Sequence, residues 1–193
     1  GSEMCIRDRT RERHGFLSGQ KEDLEASKED LYKVIKEMNT IMRKTFKEQL
    51  AIINESFSKV FLELFEGGRA RIELVDETDI LESGIDIIVQ PPGKRLQNMM
   101  LLSGGEKAFT AIALLFAILE INPSPFCIFD EIEAALDETN VWKFGEYIQN
   151  YNDNTQYIII THRQGTMEHS DSIYGVTMQE HGISKVVSMN MTD

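Results

Sequence analysis

From Gln20 to Phe65 the chain contains neither proline nor glycine. Those are the two residues that most readily break a helix, so an unbroken stretch of this length has few alternatives to one long helix. Leu17, Leu24, Leu31 and Met38 fall seven apart, with Val34, Ile35, Ile41 and Met42 between them and Lys and Glu filling the intervals. That is the composition of a coiled-coil seam with charged flanks. Further on the stripe broadens through Phe46, Leu50, Ile53, Phe57, Val60, Phe61 and Leu64, as suits a helix docked on a globular core. At 1.5 Å per residue such a helix is about 65 Å long. It is expected to project, as a coiled-coil root helix over residues 16–65; a lone amphipathic surface helix is the alternative.

Gly67-Gly68 is expected to end this helix. Ahead of it, residues 1–15 alternate Arg with acids and have no apolar period. They are expected to form a disordered tail, or one added in cloning, outside the fold. Beyond the glycines, residues 70–75 and 85–89 read as strands flanking an acidic turn. Later come a helix over about 138–151, a polar turn Asn152-Asp153-Asn154-Thr155 and an apolar strand, Tyr157 to Ile160. Ile173 to Met178 and Ile183 to Met189 read as two closing strands joined by a His181-Gly182 turn.

The chemistry is concentrated between Leu101 and Asp137. Phe126 to Phe129 is an apolar run behind Pro123 and Pro125, and it ends in two adjacent acids, Asp130 and Glu131. The run predicts a fully buried strand, and ligand sites of α/β sheets lie outside the strands' carboxyl ends. Two acids there suit magnesium and water chemistry; equally, a strand running into an acidic loop has this pattern. Ser103-Gly104-Gly105 opens an alanine-rich apolar helix, Glu106 to Glu120. A Ser-Gly-Gly turn at a helix N-terminus offers free N–H groups, a hydroxyl and the positive dipole end to an anion, although serine also caps ordinary helices.

Composition narrows the partners. The net charge is −12, so a duplex gripped by the whole surface is excluded. Local basic pairs remain (Arg43-Lys44, Arg69 with Arg71, Lys94-Arg95), each of which also reads as a solvated surface pair. No apolar run approaches the ~20 residues of a membrane span, and no signal peptide is visible. Of the two cysteines, Cys127 lies inside the apolar strand and Cys5 in the tail. A disulfide framework is therefore not expected, and a reducing cytoplasm is.

The order and length of these motifs carry a resemblance. L-S-G-G-E, the apolar strand ending D-E, A-L-D and a strand followed by Thr161-His162 resemble the C-terminal half of an ATP-binding-cassette (ABC) ATPase. P-P-G-K-R-L-Q (Pro91 to Gln97), the stretch Leu101 to Leu119, the stretch Pro125 to Val141 and I-T-H-R-Q-G-T-M-E (Ile160 to Glu168) are similar to the bacterial branch of the SMC chromosome-organising family. Y-G-V-T-M-Q-E near the end fits as well. The likeness covers about Phe16 to the C-terminus.

The resemblance implies an α/β fold: the C-terminal lobe of an ABC-type (P-loop NTPase) head over residues 66–193, with a projecting N-terminal coiled-coil helix. It implies ATP and Mg2+ as ligands. Asp130 would hold the metal, Glu131 would deprotonate the attacking water, and His162 would contact the γ-phosphate. Ser103, Gly104, Gly105 and Glu106 would meet ATP held on a second head, and Asp137 would lie at the head–head seam. Lys94 and Lys107 would approach nucleotide or partner, and Phe109 would change packing at most. The implied partners are the N-terminal half of the same head, a second SMC head in a homodimer, a kleisin subunit of the ScpA type, and DNA through the assembled complex. A cytoplasmic, nucleoid-associated location follows, with no membrane.

One part is missing. A phosphate loop reads G-x-x-x-x-G-K-[S/T], but Gly93-Lys94 is followed by Arg95 and preceded five residues earlier by Ile88, and Gly105 is followed by Glu106. In the SMC family that loop lies at the far N-terminus, so the chain is expected to be half of a split ATPase, inactive alone. The competing expectations are a scaffold for kleisin docking and head engagement, a head fragment of a double-strand-break repair ATPase, and, least compatible with the missing loop, a transporter ATPase.

Overall fold

The computed structural model describes residues 2–151, 155–180 and 182–191. Helix α1 spans Ser2–Leu64. It therefore includes the segment expected to be a disordered tail. Extending an existing helix adds a hydrogen bond per residue without a new nucleation cost, and the Arg and Glu of this segment are good helix formers. By Cα packing, residues 1–48 and 49–193 are two units. In the first, the heptad residues are bare: Leu17, Leu24, Leu31 and Met38 are all more than half exposed.

In the second unit the broad stripe of α1 is buried. Phe57, Val60, Phe61 and Leu64 recur at helical spacing and are at most 2% exposed. After Leu64 the chain turns through Glu66, Gly67 and Gly68, all with positive φ. A Cβ at Gly68 would lie 2.2 Å from the Gln90 carbonyl oxygen, so only glycine fits. Strands β1 (Arg69–Leu74), β2 (Ile85–Gln90) and β3 (Gln97–Asn98) form an antiparallel sheet in that order. Asn54 of α1 accepts a hydrogen bond from the Ile72 backbone N–H at 2.7 Å, tying helix to sheet.

A 3-10 turn, Met99–Leu101, leads to helix α2 (Gly104–Ile121). Strand β4 (Phe126–Asp130), helix α3 (Glu138–Asn150) and strand β5 (Gln156–Ile160) make a βαβ unit whose strands pair in parallel. Phe116 of α2 sits among Phe129, Phe144, Tyr147 and Tyr157, joining α2, α3 and both strands in one core. Short helix α4 (Gln164–Met167) follows, then a hairpin of β6 (Ser172–Glu180) and β7 (Ile183–Asn190).

The expected burial of β4 holds on one face only, and its partner β5 is the same. Cys127, Phe129, Tyr157 and Ile159 pack on the core, whereas Phe126, Ile128, Ile158 and Ile160 are 45–59% exposed. An apolar run shows that a strand has two apolar faces, not that one chain supplies both covering layers. The β6–β7 hairpin likewise exposes Tyr174, Val176, Met178, Val186 and Met189. His181 and residues 152–154, expected to form turns, lie outside the described residues.

Candidate functional site

Two groups of side chains emerge. The first sits at the carboxyl ends of β4 and β5. Pairing of Asp130 with Ile160 closes the ladder, and the Glu131 N–H extends it by donating to the Ile160 carbonyl at 2.9 Å. Glu131 then turns sharply, at φ 49°, a left-handed conformation that costs a non-glycine residue energy and is commonest where function demands it. Its carboxylate is 55% exposed and lies 3.5 Å from His162 Nδ1, which is itself exposed just past β5. Two adjacent carboxylates and an imidazole thus share one open strand end.

The second group gathers at the start of α2. Ser103 is the N-cap residue. Its hydroxyl donates to Glu106 at 2.6 Å and its N–H donates to the same oxygen at 3.3 Å. Lys94 reaches that oxygen at 2.7 Å. The Lys94 ammonium, then the Ser103 hydroxyl, hold the Glu106 carboxyl below the usual carboxylate range. A Cβ at Gly105 would lie 3.1 Å from the Ala135 carbonyl oxygen, while one at Gly104 would meet nothing within 4 Å. Gly105 thus packs tightly against the A-A-L-D segment, and Gly104 faces open space at the helix N-terminus.

Asp137 caps α3, accepting from the Asn140 N–H at 2.9 Å and from its side-chain amide at 3.2 Å. It shares a cleft of about 540 Å³ with Ser103, Glu106, Lys94, Asn140 and Lys143. Asp130, Glu131 and His162 do not line that cleft. The expected site residues are thus brought together as two sets, not one. Lys107 is half-buried and lines neither set; Phe109 is buried against Phe65. Of the basic pairs, Lys94 and Arg71 are engaged by Glu106 and Glu73.

Sequence reasoning missed four residues behind the first set. Glu133, fully buried, accepts hydrogen bonds from the hydroxyls of Thr161 and Thr166. Arg163 donates to the Leu136 carbonyl at 2.9 Å. Glu133 carried no signal: in D-E-I-E it reads as one more surface acid.

The acids suit magnesium delivered with a nucleotide. Mg2+ takes one or two carboxylates and fills its shell with water and phosphate oxygens, and Asp130 offers one such ligand in the open. Among the described residues no group of three or more His, Cys, Asp or Glu forms a self-sufficient metal cage.

The fold is that of an ABC-type ATPase head with a long N-terminal helix. The RecF/RecN/SMC N terminal domain family matches residues 7–185, and the chain belongs to that family, whose SMC heads are ATPases. It is 55% identical over 186 residues to the chromosome partition protein Smc of Bacillus subtilis, covering 96% of this chain and 16% of that protein. Among solved structures, one from work on ATP-driven dimerization and DNA-stimulated activation of SMC ATPases superposes with a TM-score of 0.72 at 38% identity. It covers 77% of this chain and 89% of the other. The Smc head of Pyrococcus furiosus, with an extended coiled coil and bound to the C-terminal domain of ScpA, gives 0.73 at 38% identity, covering 93% and 45%. The chain thus spans about a sixth of the length of the curated relative it matches.

Proposed function

We propose that the chain is the C-terminal half of the ATPase head of an SMC chromosome partition protein, working in a site completed by other chain segments. The bare outer face of β4–β5 carries this reading. A parallel strand pair is stable when both faces are covered, and here Phe126, Ile128, Ile158 and Ile160 present an apolar face beside the acids of the site. The N-terminal half of the head, which would bring the phosphate loop lacking from this sequence, is the proposed cover. The isolated chain would then be inactive.

Within the assembled head, Glu131 takes a proton from water as the water oxygen attacks the γ-phosphorus and the bond to the β–γ bridging oxygen breaks, leaving ADP and phosphate. A base so placed contributes roughly 10²–10⁴ in rate. Asp130 would hold Mg2+, which when bound neutralises charge on the phosphates. His162, next to Glu131, reaches the γ-phosphate. Ser103, Gly104 and Gly105 form an anion-binding helix start beside Glu106 and Asp137, so they serve ATP on the second head of a homodimer. Separation of the two residue sets supports that division of labour. ATP then bridges two heads and hydrolysis releases them. A ScpA-type kleisin and DNA are the proposed partners of the whole complex, in the cytoplasm at the nucleoid.

The division is tested by complementation in the full-length protein. Ser103→Arg spoils the anion site and Glu131→Gln spoils the base, so each variant is inactive. Mixed dimers of the two regain one site with both parts sound, and a fraction of the parental ATP turnover returns. No recovery in verified mixed dimers would place both residue sets on the same nucleotide. The scaffold reading would gain if the parental protein, engaged with its partner, hydrolysed nothing.

A further inference from the structure

Glu131 and Glu133 leave one short turn in opposite directions. The turn is closed by the Ala134 N–H donating to the Glu131 carbonyl at 3.0 Å, and the next by the Leu136 N–H donating to the Glu133 carbonyl at 2.9 Å. Glu131 points to solvent, Glu133 is fully buried. A buried carboxylate is costly unless donors hold it, and those found for Glu133 bracket the histidine loop. Thr161 precedes His162 and Thr166 lies in α4, the helix that follows the loop, and both hydroxyls converge on one oxygen, Oε1. Thr161 also accepts from the Arg163 N–H at 3.0 Å, which fixes the backbone on the far side of His162. Arg163 in turn holds the carbonyl of Leu136, the residue before Asp137.

We propose that Glu133 is a positioning residue for ATP hydrolysis: it sets the separation of His162 from Glu131, and Arg163 carries that setting to the Asp137 turn. This rests on the hydrolytic roles proposed for Glu131 and His162. The turn that presents the base also anchors the loop that presents the imidazole, so neither moves without the other. The Leu136 carbonyl link makes Asp137, on the surface proposed to face a second head, part of the same unit. Displacing reacting groups by even 1 Å costs on the order of 10²-fold in rate, so a carboxylate that touches no substrate can still govern turnover.

The test uses the full-length dimeric protein bearing Thr161→Val or Thr166→Val, each of which removes one hydroxyl at nearly constant volume. The expected result is a kcat roughly tenfold lower with KM for ATP and ATP-dependent head association unchanged, and a shifted His162 imidazole resonance by NMR. Thr161→Ser, which restores the hydroxyl, recovers both rate and resonance. Thr161 is only half-buried, so its variant keeps the test readable if Thr166→Val does not fold. Glu131→Gln runs in parallel. If it hydrolyses ATP like the parent, the proposed catalytic role is wrong irrespective of Glu133. If it is inactive while the valine variants keep parental kcat and resonance, or lose only melting temperature, the positioning role is overturned.

Discussion

The two faces of the β4–β5 pair belong to the same strands, yet they live in different solvents. On the inner face Phe129 and Tyr157 pack against Phe116, completing a core that α1, α2 and α3 close. On the outer face Ile128 and Ile160 stand more than half exposed. The inner face is covered by the chain's own helices, whereas the outer one is apolar and bare, and it is there that the proposed N-terminal half would pack.

Substitutions on the two faces should therefore read out differently. Phe116→Ala, which empties the middle of the inner aromatic cluster, should cost about 3–5 kcal/mol in unfolding free energy, seen by denaturant titration of the chain. A cost near zero would mean the cluster is not the core. Ile128→Asp on the outer face should change that stability by no more than about 0.5 kcal/mol. It should nevertheless weaken association with the proposed N-terminal half severely, since it would bury an unpaired charge there. If Ile128→Asp unfolds the chain as thoroughly as Phe116→Ala, the faces do not differ as argued.

The smallest effect lies at the cleft. Glu106 has a depressed folded pKa, so its ion pair with Lys94 contributes stability above the unfolded-state carboxylate pKa and loses it as pH falls through the folded value. Lys94→Met should remove less than about 1 kcal/mol at neutral pH, because the pair is partly exposed. It should also flatten the stability profile in the acid range. An unchanged acid limb would show that Ser103 alone, or nothing, holds Glu106.

How much of this was legible in the sequence follows from which forces are local. The seven-residue spacing of α1 and the broad stripe after Phe46 marked a helix and its buried end, and the glycines at 67 and 68 marked its stop. The β4 and β5 segments were legible as strands because apolar runs of that length between turns have few alternatives. Which of their faces a neighbouring layer covers was not, since that depends on what packs there and not on the run itself. That residues 2–15 continue α1 was not legible, because their charges show no apolar period while helix extension needs none. Asp130, Glu131 and Ser103 were singled out by motif order and resemblance and Asp137 by resemblance, and the roles given to them are proposals. Glu133 was not, because its partners stand 28 and 33 residues away and burial of a carboxylate leaves no local mark.

If the chain supplies one part of a composite ATP site, its activity depends on the rest of the head. ATP turnover by the chain, alone and assembled with the N-terminal half of the head, tests it most directly. The expected result is no turnover alone, turnover on assembly, and its loss when Glu131→Gln is introduced. Sustained turnover by the unassembled chain, abolished by Glu131→Gln, would contradict it, because phosphate binding would then reside within these residues.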